Sequence, residues 1–229
     1  MRISNPRKMI AVTLVVTSNT LIGSSRGSIG NATMTRVKGQ NILKEKIIQA
    51  SGPLSDPRLL QRDRVAILMP IARALKLAID QGYAKLAKHM SAFNAYFQDN
   101  LMTATSELTA STAEFTAAAM KIAKGTIGTT PISAVNVTTA TTTCVITWPA
   151  ANAPVGSSVD DEPFVGIYNI TTGVFTAAIG TAAEKRSTGT WTVTLAGTWT
   201  TADVLATYLS FRNPLTGQVS DSIYSADAS

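Results

Sequence analysis

The chain has 229 residues, of which 45% are hydrophobic and 15% are charged. This length fits one large domain or two small ones, and the apolar content excludes wholesale disorder. With so little charge, Thr, Ser, Ala and Asn must form much of the surface, or partners must cover it. The composition therefore suits a protein that packs into an assembly.

The net charge of +6 is distributed unevenly along the chain. Residues 1–125 hold 17 Lys and Arg against 7 Asp and Glu, whereas residues 126–229 hold 3 against 7. The basic half favours an anionic partner: nucleic acid, a membrane surface or an acidic protein face. The split equally fits a contact between one subunit's first half and a neighbour's second half, and ordinary solvated helix faces also explain it.

Residues 1–54 are predicted to form an extended basic arm with one strand. Ile10, Val12, Leu14 and Val16 alternate with other residues, which is typical of a strand between Met9 and Thr17. The first residues resemble a signal peptide only superficially, because the apolar core is short and no cleavage site follows, so we expect the segment to be retained. The glycines that follow lack the spacing of a phosphate-binding loop, and no nucleotide cofactor is predicted.

Basic residues cluster in the arm and in the helix after it. Seven of them are candidate contacts to nucleic acid or to a protein partner: Arg36, Lys38, Lys44, Lys46, Arg58, Arg62 and Arg64. Aliphatic residues separate the first four, and no aromatic side chain lies among them, so contacts to phosphate are predicted and base stacking is not. Such charge runs are more often solvated surface.

Residues 55–125 are predicted to be a helical region with two amphipathic segments. Ser55 or Asp56 caps the first segment, Pro57 fits its first turn, and Pro70 should kink it or end it near Met69. Gly82 is a second weak point. The two apolar stripes, which we interpret as core, are Leu60, Ile67, Ile71, Leu75 and Ile79, then Tyr83, Leu86, Met90, Phe93, Phe97 and Leu101.

Residues 126–229 are predicted to form a β-sandwich, with the main domain boundary near Gly125, Gly128 and Pro131. Short strands with alternating patterns follow one another, separated by turn signals. Five aromatic residues are interpreted as its core and rim, although they would also suit a carbohydrate-binding face: Trp148, Tyr168, Trp191, Trp199 and Tyr208. The predicted fold class is α+β, with an N-terminal arm, a helical region and an immunoglobulin- or fibronectin-like sandwich.

No catalytic or metal-binding set emerges from the sequence. Cys144 and His89 are the single cysteine and histidine, and the alternation around Cys144 places it on the buried face of a strand. The acidic run Asp160–Glu162 could hold a calcium ion, but it lacks the spacing of a known calcium loop, and such runs are more often solvated loops. No apolar run is long enough to span a membrane. We therefore expect no enzyme, no cofactor and no membrane span.

Four segments together resemble an uncharacterised domain family of Bacteroidota and their phages: SIGNATMTRVKGQNILKEK, DPRLLQRDRVAILMPI, GYAKLAKHMSAFNAYFQDNL, and the stretch from DDEPFVGIYNITTG to SDSIY. Gly27, Gly30, Asn31, Lys38 and Gly39 match the family's opening; Gln61, Arg62, Gly82, Tyr83 and Met90–Asn94 match its helices. Asp56 stands where the family has Asn. The resemblance spans roughly residues 25–225, and it implies a strand at AEFTAAAMKIAKG, where propensity alone favours helix.

The resemblance implies a biological setting but no mechanism. It leads us to expect a non-enzymatic structural protein of a phage particle, assembled in the bacterial cytoplasm, with other virion proteins as partners and homo-oligomers formed when the arm adds as a strand to a neighbour. A sequence-independent nucleic-acid-binding protein and a surface or carbohydrate-binding module are the alternatives.

Overall fold

In the computed structural model the chain divides into two compact units, Met1–Pro53 and Leu54–Ser229. The structure describes residues 15–17, 27–29, 31–37, 40–45, 54–137, 141–150, 154–200 and 202–227. The predicted strand between Met9 and Thr17 therefore lies largely outside the described residues.

The first unit contains an antiparallel sheet. Its strands are β1 (Val15–Thr17), β2 (Gly27–Ile29), β3 (Ala32–Val37) and β4 (Gln40–Glu45), arranged in the order β1-β4-β3-β2. The sequence predicted one strand here, and β2, β3 and β4 are additional. Two residues separate β3 from β4 in the sequence, which is the spacing of a tight hairpin, and the patterns of the strands themselves are weak.

The second unit begins with helix α1 (Asp56–Ala74), followed by α2 (Lys76–Gly82). Ser55 occupies the N-cap without a side-chain capping bond, and α1 continues through Pro70, so the prediction of an end near Met69 was wrong. Leu68 and Leu75, which flank the proline on the core side, are both fully buried, and their packing outweighs the local cost of the missing hydrogen bond. Helix α2 ends at Gly82, which confirms that weak point.

Helix α3 (Ala92–Asn100) begins nine residues later than the second predicted stripe. Ser91 Oγ accepts a hydrogen bond from Asn94 N at 3.1 Å and so caps the helix, whereas residues 83–91 form turns. Leu86 and Met90 are exposed, and the prediction that they are core was wrong. The predicted stripe was wrong because Ser91 caps a new helix, α3, whose buried face does not continue that of the preceding segment.

A hairpin and a sandwich complete the second unit. Strands β5 (Thr105–Thr109) and β6 (Thr112–Phe115) form the hairpin. The family resemblance implied a strand at AEFTAAAMKIAKG, but β6 includes only the first three of these residues, and Ala117–Ala119 form a 3-10 turn. The sandwich strands are β7 (Ala134–Val137), β8 (Thr141–Thr147), β9 (Glu162–Asn169), β10 (Phe175–Ile179), β11 (Thr190–Trp199), β12 (Leu205–Arg212) and β13 (Ile223–Asp227). They form two antiparallel sheets, β11-β8-β7 and β10-β9-β12-β13. This arrangement confirms the predicted α+β fold with a β-sandwich at its C-terminal end.

The four-stranded sheet is buried on both faces. One face packs against the three-stranded sheet, where Val165 and Leu209 meet Ile146 and Val193. The other face packs against the helices, where Tyr208 shares a core with Leu75. A Cβ added to Gly166 would lie 3.2 Å from Leu75 Cδ2, so the glycine permits the close approach of the helix.

The helices and the sandwich thus form one compact unit, although the sequence predicted a boundary between them near residue 125. The glycines that suggested this boundary are sites of close packing. A Cβ on Gly125 would overlap Val219 O at 1.7 Å. Gly125 N donates to Asp221 Oδ1 at 2.9 Å, which attaches the segment to the sandwich.

Candidate interaction surfaces

Two of the four candidate basic residues of the arm lie on described strands of the first unit. Arg36 is on β3, and Lys44 is on β4 with an exposed side chain. Lys38 and Lys46 lie outside the described residues. The register places Lys44 opposite Thr33, on one face of the sheet, whereas Leu43 lies opposite Met34 on the other.

The apolar side of this sheet carries large side chains near solvent. Leu43 is 36% exposed, and its cross-strand partner Met34 is only half-buried. None of the side chains whose exposure is described on β2, β3 and β4 is buried. The described part of the first unit therefore holds no core of its own.

The candidate arginines of α1 divide between its two sides. Arg58 and Arg62 are exposed, and no carboxylate of the described residues forms an ion pair with either. Arg64 is only 8% exposed, and its Nη1 donates to Met102 Sδ. The structure therefore leaves Arg58 and Arg62 on the surface and turns Arg64 inward.

Arg73 is a surface cation that the sequence analysis missed. It is exposed in the last turn of α1. At about 100° per residue, Arg58, Arg62 and Arg73 fall within a sector of roughly 60° and span about 22 Å along the helix axis. Helical spacing from Arg58 predicts that Arg73 lies on the same side of α1, although Arg73 is not close to the other candidate charges in the sequence.

Each residue of the acidic run Asp160–Glu162 has a cationic partner. Asp160 Oδ1 lies 2.7 Å from Lys185 Nζ, and Glu162 Oε2 lies 2.7 Å from Arg212 Nη2. Asp161 Oδ2 lies 3.3 Å from Arg186 Nη2. Asp161 is fully buried, so the prediction of a wholly solvated loop was wrong for this residue.

The Asp161–Arg186 pair is buried within the second unit. Arg186 is fully buried, with its guanidinium 4.0 Å from the centre of the Phe211 ring and a donor to Thr130 Oγ1. Burial lowers the pKa of the guanidinium below its ordinary value, and the charge of Asp161 opposes that shift. Trp148 Nε1 donates to Arg186 O at 2.7 Å. The cluster is a structural one that joins the loop, the helical turn and the core.

A second polar cluster is buried where α2 meets α3. Tyr83 Oη donates to Asp99 Oδ2 at 3.0 Å and accepts from Asn100 Nδ2 at 3.2 Å. Burial, then the neighbouring Asp99 carboxylate, raises the pKa of Tyr83 well above its usual value. Lys124 Nζ contacts Asp99 Oδ1 at 2.5 Å, which raises the pKa of that lysine. Tyr83 and Asn100 thus fix the packing of the two helices.

Cys144 and His89 lie in different surroundings and do not form a catalytic pair. Cys144 is fully buried in the sandwich core, as its alternation predicted, whereas His89 is exposed between α2 and α3. Within the described part of the chain, no group of three or more His, Cys, Asp or Glu side chains is placed to hold a metal ion.

The five aromatic residues of the sandwich are packed rather than displayed. Trp148, Trp191, Trp199 and Tyr208 are buried, which confirms their interpretation as core. Tyr168 is half-buried, and its ring stacks on Phe175 with centroids 4.1 Å apart. None of the five offers an exposed platform for a sugar ring.

Comparison with known proteins gives a family without an assigned activity. None of the helices that the structure describes has the length and apolar character needed to cross a bilayer. No curated protein and no solved structure matches the chain. Residues 24–226 match a family of unknown function, DUF6266, and the span includes part of the first unit and nearly all of the second. The chain therefore belongs to this uncharacterised family, DUF6266.

Proposed function

We propose that the chain is a non-enzymatic structural protein of a phage particle, which is assembled in the bacterial cytoplasm and acts through protein–protein contacts. The phage setting rests on the resemblance of four sequence segments to a family of Bacteroidota and their phages. The low proportion of charged residues, 15%, supports a surface that partners cover.

The sheet of the first unit carries this proposal. Four strands pair there, yet no described side chain of β2, β3 or β4 is buried. A small sheet is stable when one apolar face is packed against something else. Met34 and Leu43 share such a face. We infer that a second copy or another virion protein covers it in the assembled particle.

Two neighbouring residues of β4 provide a sharp test because they lie on opposite faces. Leu43→Asn removes an apolar group from the Met34 side, and Lys44→Asn removes a charge from the other side. We expect Leu43→Asn to reduce the mass of the assembly in sedimentation velocity, and Lys44→Asn to leave it unchanged. Equal sedimentation of the wild type and both variants as monomers would overturn the proposal.

Sequence-independent binding of nucleic acid is the second candidate, supported by the exposed row of Arg58, Arg62 and Arg73 on α1. Contacts to phosphate alone make affinity fall with salt by about 0.9 log units per log unit of salt for each contact to duplex DNA. We expect Arg62→Gln to lower that slope by about one, and Arg64→Gln, which changes a buried residue, to leave the slope unchanged. Absence of DNA binding at low salt would remove this candidate.

The proposal also excludes catalysis by the single cysteine and histidine. We expect Cys144→Ser to affect stability alone, since the thiol is buried, and His89→Gln to affect neither stability nor assembly. A hydrolase or transferase activity that either substitution abolishes would overturn the non-enzymatic assignment.

A further inference from the structure

The sandwich has one edge strand, β11, that lacks the usual protection against pairing with another chain. Edge strands are normally short, charged, or covered by another element. Of the other edges in the described sandwich, β10 packs against α1 and α2, whereas β7 is only four residues long and contacts β13. Strand β13 is also protected, since it has only five residues, contacts β7 and ends in the charged Asp227. Strand β11 has ten residues, TWTVTLAGTW, without a charge or a proline.

The phase of the β8–β11 ladder shows which backbone groups of β11 point outward. Trp148 N donates to Gly189 O at 2.9 Å, so that pair is hydrogen-bonded. Hydrogen-bonded pairs recur every second residue in an antiparallel ladder, and the register then makes Trp191 and Val193 face β8. The N–H and C=O groups of Thr190, Thr192 and Thr194 therefore point away from the sheet.

These outward groups form a regular row that ends at an irregularity. The pairing of β11 with β8 shifts register between Thr194 and Trp199. Beyond it, Ala196 N donates to Thr176 Oγ1 at 2.9 Å, so this end of the strand is occupied by β10. No hydrogen bond within the described residues engages Thr192 or Thr194 on the open side. The segment available to a partner is thus Thr190–Thr194.

We propose that this segment pairs with the same segment of a second copy in antiparallel orientation, around a two-fold axis at Thr192. Thr192 then lies opposite Thr192 of the other copy, and Thr190 lies opposite Thr194. All three positions have outward N–H and C=O groups, so every facing pair exchanges two hydrogen bonds. Thr190 O already accepts a bond from Thr188 Oγ1 at 3.2 Å, and a carbonyl oxygen has a second lone pair for the partner strand. The two three-stranded sheets become one continuous six-stranded sheet.

The chemistry of β11 favours a second copy over an unrelated strand. Pairing like with like carries no charge repulsion, since the segment holds no charged residue. The side chains of Thr190, Thr192 and Thr194 are exposed, and facing threonines are a favourable cross-strand combination. An isologous contact of this kind closes a two-fold dimer.

The inference rests on the proposed assembly because a five-residue edge buries little area by itself. Interfaces much below about 1,000 Å² are weak or transient. Contact through β11 gains strength when another contact already holds the copies together, since the second contact is then intramolecular. The sheet of the first unit would supply that other contact.

Disulfide trapping tests the geometry directly in the full chain. Residues that face each other as a hydrogen-bonded pair have Cα atoms about 5.5 Å apart, within the range that a disulfide spans. Thr192→Cys should therefore give a disulfide-linked dimer under mild oxidation. Asn136→Cys is the matched control, because Asn136 is an exposed residue of β7 at the far side of the same sheet. It should give none.

A backbone variant tests the hydrogen bonds. Thr192→Pro removes an N–H that points outward, so it spares the ladder to β8, and edge strands tolerate such a proline. We expect the tryptophan fluorescence of the native sandwich to be retained and the dimer contact to be lost in sedimentation at high protein concentration. Thr192→Lys, with Asn136→Lys as control, gives the same answer without a change in the backbone.

The outcomes separate this inference from the proposed function. If the wild type assembles but Thr192→Cys forms no dimer and Thr192→Lys leaves the assembly unchanged, the β11 contact is wrong and the assembly proposal stands. Should Thr192→Cys trap a dimer while Leu43→Asn has no effect, the β11 contact stands without the first-unit contact. A wild type that stays monomeric and traps no dimer overturns both.

Discussion

Two four-stranded antiparallel sheets in this chain differ completely in their burial. In the sheet β10-β9-β12-β13, seven of the eight residues of β12 are buried, because helices cover one face and a second sheet covers the other. In the sheet β1-β4-β3-β2, none of the described side chains of β2–β4 is buried. A four-stranded antiparallel sheet thus occurs once with a core on each face and once with no buried side chain among those described on β2–β4.

The comparison shows that packing, rather than strand pairing, decides which sheet is stable by itself. The polar residues Thr207 and Ser210 of β12 are also taken into the interior. Ser210 is fully buried, and its hydroxyl donates to Ser220 O at 2.9 Å. In the first sheet, polar Thr33 and Thr35 remain partly accessible. The first sheet must therefore gain its stability from contacts outside the described strands.

The largest expected effect is at the buried ion pair beside the doubly covered sheet. Asp161→Asn leaves the fully buried Arg186 without a counter-charge, and we expect a loss of about 3–5 kcal/mol in the free energy of unfolding. Urea unfolding monitored by tryptophan fluorescence measures it. The double variant Asp161→Asn, Arg186→Met should recover part of the loss, because no charge then stays buried. A double variant as unstable as the sum of the singles would contradict this account.

Substitution of Leu75 and of Leu43 tests the comparison between the two sheets most directly. Leu75→Ala opens a cavity in the core between helix and sheet, and we expect a loss of about 2–5 kcal/mol. Leu43→Ala changes a residue that is 36% exposed, and in the isolated subunit we expect a change within about 0.5 kcal/mol. Differential scanning calorimetry measures both. A large loss for Leu43→Ala in a monomer would show that the first sheet has a core within its own chain.

Sequence reasoning succeeded where burial produces a regular pattern. The stripe Ile71, Leu75 and Ile79 and the alternation of Cys144 and Ile146 all correspond to buried side chains. These residues repeat at the period of their own element, so the pattern contains the answer. The family resemblance, and not a burial pattern, implied a strand at AEFTAAAMKIAKG, and β6 includes only the first three of these residues.

It failed where distant residues determine the local outcome. Arg64 resembles its neighbour Arg62 in sequence, yet Met102 and the helix face turn it inward. Asp161 lies in a run of three acidic residues, and only the fold reveals that Arg186 is its buried partner. Gly125 suggested a domain boundary, whereas its missing side chain permits a close contact with the backbone of Val219. No periodicity within the sequence encodes such contacts.

Gly82 provides the third prediction, which tests the helical cover of the buried sheet. A Cβ there would lie 2.2 Å from Ile122 O and 2.7 Å from Ala123 Cα, so backbone must move. We expect Gly82→Ala to lower the free energy of unfolding by about 1–3 kcal/mol. Gly197→Ala is the control, since the nearest atom to its Cβ is Trp199 Nε1 at 3.7 Å, an ordinary contact. If Gly82→Ala and Gly197→Ala had the same urea midpoint, the packing argument would be contradicted.

The smallest expected effect is a decline in stability at alkaline pH. It concerns the second unit alone, because all five tyrosines follow residue 54. Burial raises the pKa of Tyr83, Tyr96 and Tyr208 above the usual value near 10. The unfolded chain therefore loses these protons first as the pH rises.

Stability is then fully present below about pH 10 and declines above it, by up to about 1.4 kcal/mol per pH unit for each such tyrosine. Tyr83→Phe should lower the stability at pH 8 by about 1 kcal/mol through the lost hydrogen bond to Asp99, and should make the alkaline decline shallower. Tyr96→Phe should flatten the decline in the same way, because burial is the cause of its raised pKa. Urea unfolding between pH 8 and pH 11 measures both slopes. If the decline were as steep in both variants as in the wild type, these hydroxyls would ionise equally in the folded and unfolded chain. The core between helix and sheet would then be less closed to water than the packing of Tyr83 and Tyr96 indicates.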